Sequence, residues 1–377
     1  MTDFLKGQRF IVTGGAGFIG TNFVRLLLTR GASVKVLDSL TYAGNPANIT
    51  DVLTKNDLVV GDIGDSQITA KLIRDFKPHY IVNFAAESHV DRSVNNPEPF
   101  VATNIAGTQR LLEATRQYLL ENKENEFKKF VQISTDEVYG DLDIDFEQPI
   151  KADNETITWL GRDAYLYGSQ TFNETTPIKP SSPYSSSKAS ADLMALAYHH
   201  SFGFPVVVTR CSNNYGPYQF PEKLIPLMIN NLLEHRALPV YGKGLNVRDW
   251  IHVDDHCKGV LMAALEGIPG EVYNFGGYSE KRNIDIVHEL IRIVREKTGD
   301  ETINDSLITF VGDRPGHDRR YAIDASKSHN TLGWQPLVQF EKGLEDTVQW
   351  YLDNRKWTEN IVNGGYRAYY SQMYSNR

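Results

Sequence analysis

Cysteine is scarce in this chain of 377 residues: only Cys211 and Cys257 occur, which excludes a disulfide framework and fits a reducing, cytoplasmic setting. No run of about eighteen apolar residues appears, so no membrane-spanning helix is expected. The opening residues Met1-Thr2-Asp3-Phe4-Leu5-Lys6 lack the pattern of a secretory signal. Positive charge is not in excess either. With 39 Lys and Arg against 47 Asp and Glu, the formal net charge is −8, which argues against nucleic acid as a non-specific partner. Any anionic ligand must then be held by local basic groups. There is no internal repeat or low-complexity tract. His199, His200, His252 and His256 lack convincing zinc spacing, so no metal is expected.

What is present is an alternation of short apolar runs with helix-patterned segments. Phe10-Ile11-Val12, Val34-Lys35-Val36-Leu37, Leu58-Val59-Val60, Tyr80 to Phe84, Phe130 to Ile133 and Val206-Val207-Val208 read as strands. Such alternation predicts an α/β fold, a Rossmann-type doubly wound parallel sheet with helical crossovers. Length favours a second, smaller unit. Residues 1–210 form the first domain, with 245–278 returning to it, and residues 211–244 and 279–377 form a C-terminal α/β substrate-binding domain. The stretch from Asp141 to Pro183 breaks the rhythm with acidic, Asn, Thr and Pro residues and the aromatics Trp159, Tyr165, Tyr167 and Phe172. So long a loop is often an active-site cover, or equally a passive surface excursion.

Chemistry concentrates in three places. The first is Thr13-Gly14-Gly15-Ala16-Gly17-Phe18-Ile19-Gly20, a glycine turn between a strand and a helix. Gly14 permits the tight turn, Gly17 leaves room for a pyrophosphate at the positive end of the helix, and Gly20 lets helix and strand pack closely. Three glycines alone are a weak signal, since such turns also serve as plain loops. Here the next strand ends in Asp38, eighteen residues after Gly20, with no Arg or Lys in Ser39-Leu40-Thr41. A carboxylate there accepts hydrogen bonds from ribose hydroxyls and repels a 2′-phosphate, which predicts NAD rather than NADP.

The second place is Tyr184-Ser185-Ser186-Ser187-Lys188, whose ends share one helix face. A free Tyr, with a pKa of about 10, is a poor base near neutrality. A nearby ammonium and a nicotinamide cation would favour its phenolate. The third is Ser134-Thr135-Asp136-Glu137, an acid beside a base after an apolar strand. Carboxylates at a strand end are more often solvated than catalytic, so their weight comes from the company they keep.

Together these residues resemble the extended short-chain dehydrogenase/reductase family, and within it the dTDP-glucose 4,6-dehydratases. The resemblance covers nearly the whole chain. It includes Ala85-Ala86-Glu87-Ser88-His89-Val90-Asp91, Cys211 to Pro217, Arg248-Asp249-Trp250 and Asp313-Arg314-Pro315-Gly316-His317 onward to Tyr321. The Thr-Asp-Glu triplet is its specific part, because related nucleotide-sugar epimerases have small hydroxyl residues where this chain has carboxylates. The match is poorest between Asp141 and Thr176.

The resemblance implies an NAD-dependent dehydratase of deoxysugar synthesis, with rhamnose as the expected end product. It assigns catalysis to Thr135, Asp136, Glu137, Tyr184 and Lys188. Cofactor contacts fall on Gly14, Gly17, Phe18, Ile19, Gly20, Asp38, Ser39, Thr41, Asp62, Ile63, Ala85, Ala86, Ser88, Thr103, Tyr184, Lys188 and Asn214. Substrate contacts fall on Ser88, His89, Thr135, Asn213, Lys223, Leu224, Pro239, Tyr241, Arg248, Asn283, Arg314 and His317. Arg248 and Arg314 would suit a diphosphate because a planar guanidinium offers paired donors, although most single arginines make ordinary surface ion pairs. The partner is a small nucleotide sugar. The segments from about Phe100 to Leu120 and Tyr184 to Phe202 carry apolar residues on more than one face, and the family commonly pairs such helices in a homodimer. Two other readings stand beside this one: a nucleotide-sugar 4-epimerase or decarboxylase on the same scaffold, and a non-catalytic NAD-binding regulator, which would have no need of Tyr184 and Lys188.

Overall fold

The computed structural model describes residues 4–152 and 157–362. Seven parallel strands form the main sheet: β1 (Arg9–Thr13), β2 (Ser33–Asp38), β3 (Leu58–Val60), β4 (Tyr80–Asn83), β5 (Lys129–Thr135), β6 (Val206–Cys211) and β7 (Val272–Phe275). Their order across the sheet is β3-β2-β1-β4-β5-β6-β7. The first six coincide with the apolar runs named above. The seventh, Val-Tyr-Asn-Phe, lies in the stretch expected to return to the first domain.

Strands buried on both faces read as continuous apolar runs, because alternate side chains enter two different cores. Phe10, Val12, Val131 and Val207 point into one apolar cluster. Ile11, Phe130, Val206 and Val208 point into the other. Chain direction across the sheet reverses between β1 and β4, and in such folds ligands bind in the crevice outside the carboxyl ends of the strands at that point. A buried polar chain fixes the strand ends there: Thr13 donates to Asn83 at 2.5 Å and Asn83 donates to Gln132 at 2.8 Å.

A separate apolar cluster brings Tyr215, Met228, Trp250, Leu290 and Phe340 together among the helices Leu224–Leu233, Asn283–Thr298 and Phe340–Asp353. Strand Val247–His252 lies in a small sheet between Asn213–Tyr215 and Glu280–Arg282 rather than in the main sheet. The chain rejoins the main sheet only through the helix Val253–Glu266 and β7. Among the described residues no helix is long and apolar enough to cross a membrane.

The excursion after Asp141 carries a short hairpin, Ile150–Lys151 against Tyr165–Leu166, and packs against the C-terminal half. Arg162 donates to the carbonyls of Gly277 and Val338 at 2.8 and 3.2 Å. Arg320 anchors it. This fully buried guanidinium grips Glu280 through two bonds of 2.7 and 2.8 Å and donates to the carbonyls of Gly168 and Gln170 at 3.1 and 2.9 Å. Removing one partner of a buried ion pair leaves an uncompensated charge. Arg320→Met should therefore destabilise the fold by about 3–5 kcal/mol, read as a lower urea midpoint, and the Arg320→Met, Glu280→Leu double variant should recover most of the loss. An unchanged midpoint in the single variant would contradict this role.

Candidate active site

One cavity of about 430 Å³ opens at the carboxyl ends of β1, β2, β4, β5 and β6, a size in the usual range for small-ligand sites. Every residue for which a catalytic, cofactor or substrate contact was expected lines it, from Gly14 to His317. None of the described residues between Asp141 and Pro183 does, so of the two readings of that stretch the structure favours an excursion away from the cavity.

The glycine turn needs its glycines for steric reasons. Gly14 sits at φ +66°, and a Cβ there would stand 2.7 Å from the Ala85 nitrogen. A Cβ on Gly20 would lie 2.2 Å from the Gly14 carbonyl. A Cβ on Gly17, which precedes the helix Phe18–Thr29, would press on the Gly14 carbonyl at 3.3 Å, and without one the backbone is left bare as a cradle at the helix's positive end. At the end of β2, Asp38 accepts hydrogen bonds from Ala16 N at 2.9 Å and Leu40 N at 2.8 Å. Its carboxylate is thereby held beside the turn, and burial raises its pKa. These features fit a dinucleotide whose phosphates lie on the turn and whose ribose faces Asp38.

Tyr184 and Lys188 project from the helix Pro183–Phe202, which begins with a reciprocal Ser182–Ser185 cap and Pro183 at its first position. Both are buried. Lys188 Nζ donates to the Ile133 carbonyl at 2.5 Å. Burial pushes its pKa down, opposed chiefly by the Asp192 carboxylate one turn along. Burial, together with Glu137, Cys211 and Asp136, holds the Tyr184 phenol well above its usual value, while a hydrogen bond with Thr135 acts in the opposite sense. The expectation that Lys188 favours the phenolate is thus corrected for the protein alone: its ammonium faces a backbone carbonyl, and burial, with the carboxylates adding to it, favours the protonated phenol.

Those carboxylates lie on the short turn Asp136–Tyr139 that ends β5. Asp136 is 1 % exposed, and one of its oxygens has no hydrogen-bond partner among the described residues. Burial first, then Glu137 and Asp249, drive its pKa well above normal. Burial also raises Glu137, but Lys223, Arg314 and Arg248 pull it back. The environment therefore treats the pair differently: burial and two neighbouring carboxylates push Asp136 up hardest, whereas three cations oppose the rise at Glu137, so Asp136 is the one of the two that more strongly favours its proton.

The cations around Glu137 come from distant segments. Lys223 Nζ donates to the Ser88 carbonyl at 2.9 Å. Arg248 stacks on the Tyr321 ring at 4.2 Å and gives Nη1 and Nη2 to the carbonyls of Val247 and Asp318. Its charge reaches the cavity, but not the free paired donors anticipated for it. Arg314 retains a buried Nε without a hydrogen-bond partner among the described residues, as a site awaiting an anion would. His317 bonds Asp313 at 2.6 Å, and burial beside Arg314 and Arg248 lowers its pKa to about 4, so it is neutral at pH 7. His89 is buried, with Nε2 against the Glu222 carbonyl at 3.3 Å. Asn214 is held by His256 at 2.9 Å.

Sequence reasoning missed Glu87, Glu222 and Tyr321 in the cavity wall. It also missed the π-helical segment Val101–Gly107, which turns Thr103 to the cavity while Asn104 bridges the Glu87 backbone and Ser187. No local pattern marks these residues, since each acquires its role from chain distant in sequence.

The fold and cavity are those of an NAD-handling α/β enzyme, and comparison with known proteins agrees. Residues 10–276 match the NAD dependent epimerase/dehydratase family, and the chain belongs to that family. More particularly, it is 46% identical over 376 residues to the dTDP-glucose 4,6-dehydratase of Salmonella typhimurium, covering 98% of this chain and all of the relative. Identity to dTDP-glucose 4,6-dehydratase 1 of Escherichia coli is 47% over 376 residues, with the same coverage. Among solved structures, the dTDP-glucose 4,6-dehydratase of Bacillus anthracis in complex with NAD superposes with a TM-score of 0.78 at 43% identity, covering 94% of this chain and 100% of that one.

The raised pKa of Asp136 has a consequence for stability. Its folded-state pKa exceeds the unfolded value of about 3.9, so above that pH the native state binds more protons than the unfolded one and stability falls as pH rises. Asp136→Asn removes this penalty. The variant should melt at a higher temperature than wild type at pH 7, with the gap closing towards pH 4. A variant less stable than wild type at pH 7 would show Asp136 ionised in the fold.

Proposed function

We propose that this protein converts dTDP-glucose to dTDP-4-keto-6-deoxyglucose and water. The observation that carries the reading is the electrostatic separation of Asp136 from Glu137 in the same cavity as Tyr184 and the glycine turn. Full-length identity of 46–47% to dehydratases supports it. The bound cofactor is NAD, selected by the Asp38 carboxylate, and it supplies hydride acceptance from C4 and hydride return to C6.

In this reading Tyr184 takes the proton of the C4 hydroxyl and Thr135 hydrogen-bonds the same oxygen. Lys188 contributes positive charge from its place on the Ile133 carbonyl. Because the phenol is held protonated in the protein alone, it becomes a base only when the cationic nicotinamide is beside it. Once C4 is a ketone, the C5 proton is acidic. Glu137 removes it, the protonated Asp136 delivers a proton to the departing C6 hydroxyl so that water leaves, and C5 is reprotonated as hydride reaches C6. Lys223, Arg314 and the charge of Arg248 receive the diphosphate, while Leu224, Pro239, Tyr241 and Asn283 enclose the nucleoside end.

The same reading makes the protein a cytoplasmic homodimer of two-part subunits. Val94, Val101, Leu120, Leu193 and Phe202 are 41–56% exposed along the helical segments 90–121 and 183–202, an apolar surface suited to a second copy. The Tyr215-to-Phe340 cluster supports a smaller unit built from 211–244 and 279–377, but it also takes in Trp250 of the strand Val247–His252, which was expected to return to the first domain. Residues 363–377 lie outside the described residues, as do residues 153–156 of the excursion.

Incubation with dTDP-glucose should yield a 4-keto-6-deoxy sugar. Asp136→Asn and Glu137→Gln should still oxidise C4 in one turnover, seen as NADH absorbance, yet lose 6-deoxy product by about 10²-fold or more. Tyr184→Phe should show almost no NADH. Full dehydration by the double carboxylate variant would return the assignment to a 4-epimerase.

A further inference from the structure

The turn after β2 extends beyond the residues that line the cavity. Gly44 N donates to Thr41 O at 3.0 Å, and Asn45 N and Asn48 Nδ2 both donate to Ala16 O, at 3.0 and 2.9 Å. The segment is thus folded back onto the glycine turn. Tyr42 leaves it and meets the opposite wall. The Arg92 guanidinium lies over the Tyr42 ring at 3.8 Å, and Arg92 Nε donates to Glu222 at 3.1 Å. The Tyr42 hydroxyl faces the Glu222 carboxylate, which adds to burial in raising its pKa, and Phe220 meets the ring edge-on at 5.7 Å. That opposite wall is itself pinned to the helix Phe18–Thr29: Asn22 donates to Pro217 O at 3.0 Å and Arg25 lies over the Tyr218 ring at 4.8 Å.

Thr41, Ala43 and Gly44 line the cavity on one side, and Phe220 and Glu222 on the other, while Tyr42 and Arg92 do not line it. Tyr42 is therefore a bridge between two walls. One ring stacked under a cation, one hydrogen bond and one edge-on aromatic contact make a closure that is weak enough to open. We propose that Tyr42, held by Arg92 and Glu222, is a strap that retains the dinucleotide and sets how fast it leaves. These are positioning residues, and the inference rests on the reading of the glycine turn and Asp38 as the NAD site. Retention matters because hydride removed from C4 must return to C6 of the same sugar. If reduced cofactor escapes midway, the sugar is left as an oxidised 4-keto compound with no hydride to complete the cycle.

The test is the dissociation rate of NADH from the full-length protein, followed by loss of its fluorescence on mixing with excess NAD+. Tyr42→Ala and Arg92→Met should each release NADH about tenfold faster than wild type or more, while Tyr42→Phe, which keeps the ring under Arg92, should fall between. Tyr42 is only half-buried, so its replacement leaves the cores intact. Release from both Tyr42→Ala and Arg92→Met within about twofold of wild type would overturn the strap and leave the NAD site standing. A wild-type protein that binds no NADH would overturn the site and the strap with it.

Discussion

Two carboxyl groups on neighbouring residues, Asp136 buried and Glu137 half-buried beside it, resist ionising together, and the electrostatics of the cavity follow from how that conflict is eased. Asp136 is pushed towards its neutral form by burial first and then by two other carboxyls, Glu137 and Asp249. At Glu137 burial also favours the proton, but Lys223, Arg314 and Arg248 face it and oppose that rise. Two carboxyls of similar intrinsic strength thereby meet different fields through position alone, which is what the proposed division into acid and base rests on.

That resolution depends on both halves of the chain. The main sheet delivers the carboxylates at the end of β5 and the Tyr184–Lys188 pair on the following long helix. The compensating cations come from residues 223, 248 and 314, carried by segments on or beside the second apolar cluster. Arg248 is fixed by the carbonyls of the 318–319 segment, and Arg320 next to it ties that segment to the excursion after Asp141. The excursion thus braces the cationic wall of the cavity from behind, and its described residues do not line the cavity. The Tyr42 bridge closes the other end of the same cavity.

The parts of this arrangement legible in the sequence are those whose chemistry is local. A glycine turn between strand and helix, Asp38 at the next strand end, a Tyr and Lys one helical turn apart and adjacent carboxylates each carry their meaning within about twenty residues. The six apolar runs gave strands because a strand buried on both faces must be apolar throughout. β7 was not singled out as a strand, since Val-Tyr-Asn-Phe is short and half polar until Asn274 finds Tyr139 and the Phe172 carbonyl. The Arg320–Glu280 pair, the Arg92–Tyr42–Glu222 bridge and the engagement of Lys188 by Ile133 join residues 40 to 180 positions apart, and nothing local announces them. The same non-local surroundings explain why the Tyr184 phenol differs from expectation: spacing shows that Lys188 shares its face, but not that burial, with Glu137 and Asp136, favours the protonated form.

The division of labour between Glu137 and Asp136 is tested most directly by turning over dTDP-glucose carrying deuterium at C4, and unlabelled dTDP-glucose in heavy water, and locating the isotope in each product. The account predicts that substrate deuterium moves from C4 to C6, and that solvent deuterium enters at C5, where Glu137 exchanges the proton. Product formed in heavy water with no deuterium at C5, or loss of the C4 label to solvent, would contradict it.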